Sequence, residues 1–178
     1  VHLSDKDKKR VEQESELIKK IFSKTSKVIY NGEPFSLPLK SKITSYYGTQ
    51  RVFNNSFPTQ HLGTDLRAAV GTEVRATHAG IVVFAADLFM GGKTVVIDHG
   101  LGVFSSYSHL SELKAKVDDV VETTSIIGLS GMTGRVNGPH LHWGVSINGN
   151  WVDGLSLIEE SQERLSALIG SFQLSDKN

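Results

Sequence analysis

The sequence contains no cysteine among its 178 residues. This absence excludes disulfide frameworks, thiolate metal sites and cysteine nucleophiles. A chain without cysteine suits an oxidising compartment such as a bacterial periplasm, although many cytosolic chains lack cysteine too.

Long apolar runs and an excess of charge of either sign are also missing. The most apolar stretch, Ala79–Ala86, has eight residues, whereas a membrane-spanning helix needs about 20. The 19 Lys and Arg residues are balanced by 19 Asp and Glu residues, so the chain offers no polycationic surface for nucleic-acid phosphates. We therefore expect neither a membrane span nor a nucleic-acid partner. The chain begins at Val1 rather than Met, which indicates a processed or trimmed fragment.

Apolar residues recur at helical spacing near both ends of the chain. Between Ser4 and about Lys24 they predict one amphipathic helix with Ser4 as its N-cap. This helix either lies on the domain, which we favour, or plugs a site as a regulatory element. Near the other end the same spacing predicts a short C-terminal helix that is capped by Ser156 and packs at the edge of a sheet.

Between the helices the sequence has short β-branched runs separated by glycines. Eight strands are predicted: Ile43–Tyr46, Thr64–Arg67, Glu73–Ala76, Gly80–Ala86, Lys93–Asp98, Val103–Tyr107, Ser125–Leu129 and Leu141–Ile147. Because no helical pattern lies between them, we expect a mainly β, antiparallel core. A Gly- and Pro-containing linker puts the boundary near Pro34, so we expect a helix and linker at 1–34, a domain at 35–157 and a helix with a tail at 158–178.

The run from Pro139 to Val145 alternates with the period of a strand. His140 and His142 therefore point to one face, while Leu141, Trp143 and Val145 point to the other. Same-face neighbours on a strand lie roughly 6.6 Å apart, so the two imidazoles can reach one small space. One could ligate a metal ion while the other handles protons.

A second element is the run His61-Leu62-Gly63-Thr64-Asp65. On a straight strand His61 and Asp65 would be about 13 Å apart, too far to share an ion, so we expect a bend at Gly63. With His142 they would form a set of two histidines and one carboxylate, the open pattern of catalytic zinc. Each pair alone is a weak signal, because chance produces such spacings in a chain with seven histidines. By itself His109 is an ordinary histidine at a strand end.

Together these segments resemble the lysostaphin-type (LytM) zinc metalloendopeptidases, which cleave peptides of bacterial peptidoglycan. The resemblance covers roughly residues 35–157. It rests on the order and spacing of five segments: HLGTD at 61–65, GTEVRATHAGIVV at 71–83, GGKTVVIDHG at 91–100, YSHLSEL at 107–113 and GMTGRVNGPHLHWGV at 131–145. The implied fold is a sandwich-like LytM (duplicated hybrid motif) β core with an N-terminal helix and a short C-terminal helix.

The resemblance assigns roles to five residues. His61, Asp65 and His142 match the zinc ligands of the family, and His109 and His140 match its two catalytic histidines that do not bind metal. Some relatives have lost ligands and activate cell-wall amidases without catalysis, whereas here all five positions are filled. One departure is Phe89-Met90 before Gly91, where several members have a tyrosine that assists catalysis.

The implied activity is zinc-dependent hydrolysis of peptidoglycan stem peptides. Features such as Arg135 are most similar to the Gram-negative branch, which favours the D,D cross-link over glycine bridges and a periplasmic or secreted location. The alternative is a non-catalytic groove module that binds peptidoglycan or activates an amidase. The sequence leaves open whether an upstream region or a protein partner regulates the domain.

For other residues the sequence supports two interpretations or a structural role. Arg51 is either near the groove or an ordinary surface cation, and Tyr46, Tyr47, Phe53 and Phe57 either line the groove or pack in loops and core. We expect structural roles for His2, His78 and His99.

Overall fold

The computed structural model describes residues 3–28, 33–51 and 59–175, with the backbone alone for residues 51 and 167–175. Its helices are α1 (Asp5–Phe22) and α2 (Gly154–Ser175). Its strands are β1 (Ile43–Ser45), β2 (Gln50–Arg51), β3 (Thr59–Gln60), β4 (Thr64–Arg67), β5 (Glu73–Arg75), β6 (Gly80–Leu88), β7 (Gly92–Asp98), β8 (Val103–Leu113), β9 (Val120–Val121), β10 (Ile126–Ser130), β11 (His140–Ile147) and β12 (Asn150–Val152). Neither described helix is long and apolar enough to cross a membrane.

Ten of the strands form one antiparallel sheet. Its main path runs β1-β4-β11-β8-β7-β6-β9, while β10 pairs with both β5 and β8, and β12 pairs with β11. The predicted mainly β, antiparallel fold is confirmed, and all eight predicted strands are present. The prediction missed β2, β3, β9 and β12, which have only two or three residues each and are too short to show alternation.

The main core lies on one face of the long strands. It contains Leu141 and Trp143 of β11 together with Val95 and Ile97 of β7, and the branch formed by β5 and β10 closes over it. The first turn of α2 packs against this cluster through Leu155, Leu157 and Ile158.

Three expectations about α2 were wrong. The helix begins at Gly154, so Ser156 lies inside the first turn rather than at the cap, and its hydroxyl donates to Asp153 Oδ2 (3.1 Å). The Asp153 Oδ1 atom accepts from the backbone N–H of Leu155 (3.1 Å), which satisfies a donor at the start of the helix. In addition, α2 has 22 residues rather than being short, and its first turn lies on the main core rather than at the sheet edge.

Helix α1 packs on the opposite face of the sheet. Ser4 is its N-cap, as predicted, and accepts from the backbone N–H of Asp7. At its other end Ile21 and Phe22 are buried against Phe84, Val96 and Phe104. Phe104 pairs with Ser146 of β11, two same-face steps from His142, so α1 and the histidine face of β11 share one side of the sheet.

Three buried side chains form a hydrogen-bonded chain beside the main core. The backbone N–H of Thr77 donates to Tyr107 Oη (2.8 Å), which contacts Ser105 Oγ (2.8 Å), which in turn contacts His99 Nε2 (2.7 Å). His99 Nδ1 lies 2.8 Å from the carbonyl oxygen of Ala79, so Nδ1 carries the proton and Nε2 accepts. Burial lowers the pKa of His99 to about 3, and the structural role expected for this residue is confirmed.

The neutral state of His99 predicts a pH dependence of stability. Below its ordinary pKa near 6.5 the unfolded chain binds a proton that the folded chain excludes down to about pH 3. Stability is therefore lost as pH falls through this window, by up to about 1.4 kcal/mol per pH unit. In His99→Asn, whose amide N–H can still donate to Ala79, urea unfolding across this range should give a shallower decline than the wild type. Parallel pH curves for the two proteins would contradict this account.

Candidate metal centre

The pairing of β4 with β11 brings Asp65 and His142 together. The two residues are direct cross-strand partners, and the neighbouring pair, Leu66 and Leu141, is fully buried in the core on the other face. Because side chains alternate along strands, the register that buries the leucines also places the carboxylate beside the imidazole. The alternation predicted for 139–145 is therefore observed.

His61 reaches the same point from the segment that precedes β4. The chain bends at Gly63, as expected, and the His61 side chain is almost fully buried. Its Nδ1–H donates to the carbonyl oxygen of Tyr46 (3.0 Å), which leaves the lone pair of Nε2 directed away from that carbonyl. This backbone contact fixes the orientation of the ring.

Three potential ligand atoms converge at this point. His61 Nε2 lies 3.0 Å from Asp65 Oδ1 and 3.0 Å from His142 Nδ1, and the last two atoms are 2.8 Å apart. Among the described residues this is the group of side chains that could hold a metal ion. Ligands of a tetrahedral zinc ion lie roughly 3.3 Å apart, so small adjustments would suffice and the N, O, N donor set fits zinc.

Burial and neighbouring groups both shift the pKa values of Asp65 and His142, the two candidate ligands that lie on β-strands. Burial by itself raises the pKa of Asp65, but the close approach of the His142 and His61 ring nitrogens outweighs this effect and holds the pKa far below its usual range. Burial also lowers the pKa of His142, although Asp65 partly offsets this effect. An ionised carboxylate beside a neutral imidazole is the protonation state that metal binding requires.

His140 lies one same-face step from His142 on β11. Its Nδ1–H donates to the carbonyl oxygen of Gly138 (2.9 Å), and its Nε2 lies 3.8 Å from Asp65 Oδ1. The Nε2 lone pair therefore points towards the three candidate ligand atoms, but Nε2 is too far from Asp65 Oδ1 for a hydrogen bond.

His109 completes the cluster from β8. Its ring centroid lies 4.8 Å from that of His140 and 6.0 Å from that of His142. Its Nδ1–H donates to the carbonyl oxygen of Thr133 (3.0 Å), so Nε2 again carries the lone pair. Burial lowers the pKa of His109 to about 4, against the opposing effect of the Thr133 hydrogen bond, and the ring is neutral near pH 7.

The backbone of His109 adopts an unfavourable conformation. Its φ is 66°, a left-handed value that costs a non-glycine residue roughly 1–3 kcal/mol. Two loops hold it there, because its N–H donates to the carbonyl oxygen of Gly91 (2.7 Å) and its ring to that of Thr133. These loops pack against each other at Gly92 and Gly134, where an added Cβ would lie 2.3–2.5 Å from the opposing backbone.

Helix α1 contacts the turn that contains Gly91. Glu14 Oε2 accepts from the backbone N–H of Phe89 (2.8 Å), and Arg10 lies 5.6 Å from the centroid of the Phe89 ring. Arg135, on the loop that contains Thr133, lies on the same ring at 5.9 Å. Sequence periodicity does not predict these contacts, because they join segments that lie far apart in the chain.

The other residues considered above have different outcomes. The side chain of Tyr46 is exposed, while its carbonyl accepts from His61, and Tyr47 donates to the carbonyl oxygen of Trp151 (2.8 Å). Phe53 and Phe57 lie outside the described residues, as does the side chain of Arg51. His78 is buried and stacks on Phe35 with ring centroids 4.4 Å apart, which fits the expected structural role. His2 lies outside the described residues.

Comparison with protein families and curated proteins gives consistent matches. The model of the family described as Peptidase family M23 matches residues 59–154. The peptidoglycan DD-endopeptidase ShyA of Vibrio cholerae is 40% identical over 95 residues, which are 53% of this chain and 22% of ShyA. The DD-carboxypeptidase/endopeptidase Mpg of Neisseria meningitidis is 37% identical over 107 residues, which are 60% of this chain and 25% of Mpg. The chain thus spans a quarter or less of these relatives.

Solved structures show the same fold. A crystal structure described as a candidate M23 peptidase from Pseudomonas aeruginosa superposes with a TM-score of 0.76 at 32% identity, covering 88% of this chain and 64% of that one. A zinc-containing peptidase from Vibrio cholerae gives 0.62 at 30%, covering 71% and 39%. The catalytic domain of lysostaphin from Staphylococcus simulans gives 0.60 at 30%, covering 67% and 92%.

The packing of Gly63 predicts a strong effect of one methyl group. A Cβ at this position would lie 2.7 Å from His142 Cε1, 2.8 Å from His142 Nε2 and 2.6 Å from the carbonyl oxygen of Trp143. Gly63→Ala should therefore displace the His142 ring and weaken the binding of a divalent metal ion by about 10- to 100-fold, as loss of a ligand's support commonly does. The measurement is a Zn²⁺ titration against a chromophoric chelator.

The matched control is Gly138→Ala. An added Cβ at Gly138 meets nothing within 4 Å, and the Gly138 carbonyl can still accept from His140. Metal affinity should match that of the wild type. Equal affinities for Gly63→Ala and Gly138→Ala would show that the His142 ring does not need the space at Gly63.

Proposed function

This chain belongs to peptidase family M23, in agreement with its resemblance to lysostaphin-type (LytM) enzymes, and we propose that it is a zinc-dependent endopeptidase that cleaves stem peptides of peptidoglycan. The observation that carries the proposal is the convergence of His61, Asp65 and His142 within 3.0 Å of one another, beside two further histidines. The D,D cross-link is the preferred bond, since both curated relatives named above are DD-peptidases.

His61 Nε2, Asp65 Oδ1 and His142 Nδ1 would hold the zinc ion in this proposal. Bound zinc supplies a Lewis acid that polarises a carbonyl and lowers the pKa of water. The ionised Asp65 reduces the charge of the site, and the Tyr46 carbonyl keeps His61 in the tautomer that presents Nε2. The zinc-containing Vibrio peptidase of similar fold supports this choice of metal.

His109 and His140 are the proposed proton-transfer residues. Each has its Nδ1–H fixed by a backbone carbonyl, so each presents an Nε2 lone pair to the same space. A neutral imidazole in this position can accept a proton from the attacking water at Nε2, and the resulting imidazolium can donate it to the leaving amine. We assign the two steps to this pair of histidines jointly.

A non-catalytic module is the alternative, and the filled site argues against it. A groove that only binds peptide or activates an amidase has no need for two oriented imidazoles beside a complete ligand set.

We also propose a location in the bacterial envelope, where the substrate is found. The proposed division of the chain remains 1–34, 35–157 and 158–178, and the last boundary falls within α2.

Digestion of purified sacculi tests the activity. The zinc-loaded protein should release peptide fragments that mass spectrometry assigns to hydrolysed D,D cross-links. Removing the metal with a chelator should abolish release, and added Zn²⁺ should restore it. A protein that binds one zinc ion and releases nothing would favour the non-catalytic alternative, and fragments from another bond would revise the substrate.

Substitution of the histidines tests the division of roles. His142→Ala should lose both zinc and activity. His140→Ala and His109→Asn should retain zinc at one ion per chain, while turnover falls by about 10²- to 10⁴-fold, the usual contribution of acid–base catalysis. Asparagine is chosen at position 109 because it tolerates a positive φ. Metal content measured alongside turnover separates the two groups, and normal cleavage by His140→Ala would contradict the assignment.

A further inference from the structure

The strand that contains Asp65 places a second charged residue on the site face. Arg67 is the direct cross-strand partner of His140, and directly opposed residues have Cβ atoms about 5 Å apart on the same face. Asp65 lies one same-face step away from Arg67, and its Oδ1 approaches His140 Nε2 at 3.8 Å. The side chain of Arg67 therefore starts beside the proton-transfer residues.

The backbone of Arg67 is fixed on both sides. Its N–H donates to the carbonyl oxygen of Lys42 (2.9 Å), and its own carbonyl accepts from the Ser41 hydroxyl. The side chain, in contrast, is exposed, and none of the ion pairs among the described residues includes it. The neighbouring carboxylates have other partners, because Asp65 contacts His61 and His142, and Glu73 pairs with Arg75 (2.6 Å).

The charges at this position favour an anion. Asp65 is the one acidic residue of the described candidate ligand set, so it contributes one negative charge. A bound divalent ion would carry two positive charges, and the occupied site would be positive. The cleft on the other side of Arg67 contains Lys40 together with Arg75 and Glu73, which pair with each other. An unpaired guanidinium in such surroundings is suited to bind a carboxylate through two parallel hydrogen bonds.

From these observations we propose that Arg67 binds a free carboxylate of the substrate peptide close to the cleaved amide and thereby selects anionic cross-links over glycine bridges. One same-face step is about 6.6 Å and a peptide residue spans about 3.3 Å, so the carboxylate lies within two residues of the reacting bond. This inference rests on the proposed endopeptidase function and adds the chemical class of its substrate.

The test uses two synthetic cross-linked peptides that differ at one group. In one peptide the carboxylate nearest the cleaved amide is free, and in the other it is a primary amide. The wild type should cleave the free acid with a kcat/KM about 10- to 100-fold higher, mainly through KM, as expected for loss of a charged hydrogen bond. Arg67→Gln should lose this advantage and cleave both peptides as the wild type cleaves the amide.

Two further variants make the result specific. Arg67→Lys keeps the charge but not the paired donors, so it should retain part of the preference. Arg75→Gln removes an exposed guanidinium that is paired with Glu73, and it should leave the preference intact.

The outcomes separate this inference from the proposed function. Equal cleavage of the two peptides by the wild type, or an equal loss on both peptides in Arg67→Gln, would overturn the role of Arg67 and leave the endopeptidase function standing. If the wild type with bound zinc cleaves neither peptide nor sacculi, the proposed function and the role of Arg67 are both wrong.

Discussion

The pairing of β4 with β11 is the constraint on which the site depends. In one register it buries Leu66 against Leu141 and brings Asp65 beside His142. A slip by one residue would turn the leucines away from the core and the Asp65 side chain away from His142. The core would be exposed and the candidate ligands would be separated by the same change. The packing of the core and the placement of the candidate metal ligands therefore depend on the same register.

The other members of the cluster depend on loops rather than on pairing. Four backbone carbonyls, those of Tyr46, Thr133, Gly138 and Gly91, fix His61, His109 and His140. Backbone groups provide rigid orientation without adding titratable charge near the candidate metal ligands. The cost is strain at His109, and the close packing of Gly92 against Gly134 resists its release.

The sequence predicted those parts of the structure that follow from local periodicity. Alternation at 139–145 placed His140 and His142 on one face, Gly63 marked the bend, and Ser4 marked the start of α1. Periodicity could not predict the positive φ of His109 or the carbonyls that orient the rings, because these depend on contacts between distant loops. It also misplaced the start of α2, since Asp153 supplies the capping carboxylate three residues before the serine that appeared to be the cap.

The position of α1 determines how a polymer can approach the site. The helix packs on the histidine face across β6, β7 and the start of β8, where Phe22 packs on Phe104 with ring centroids 5.3 Å apart. The opposite half, along β4 and β1, has no helix packed on it among the described residues. Among the described residues, α1 therefore closes the histidine face at β6 and β7, while Arg67 lies on the half that α1 leaves uncovered. In the proposed function, a substrate peptide would lie along that half, with α1 behind the histidines.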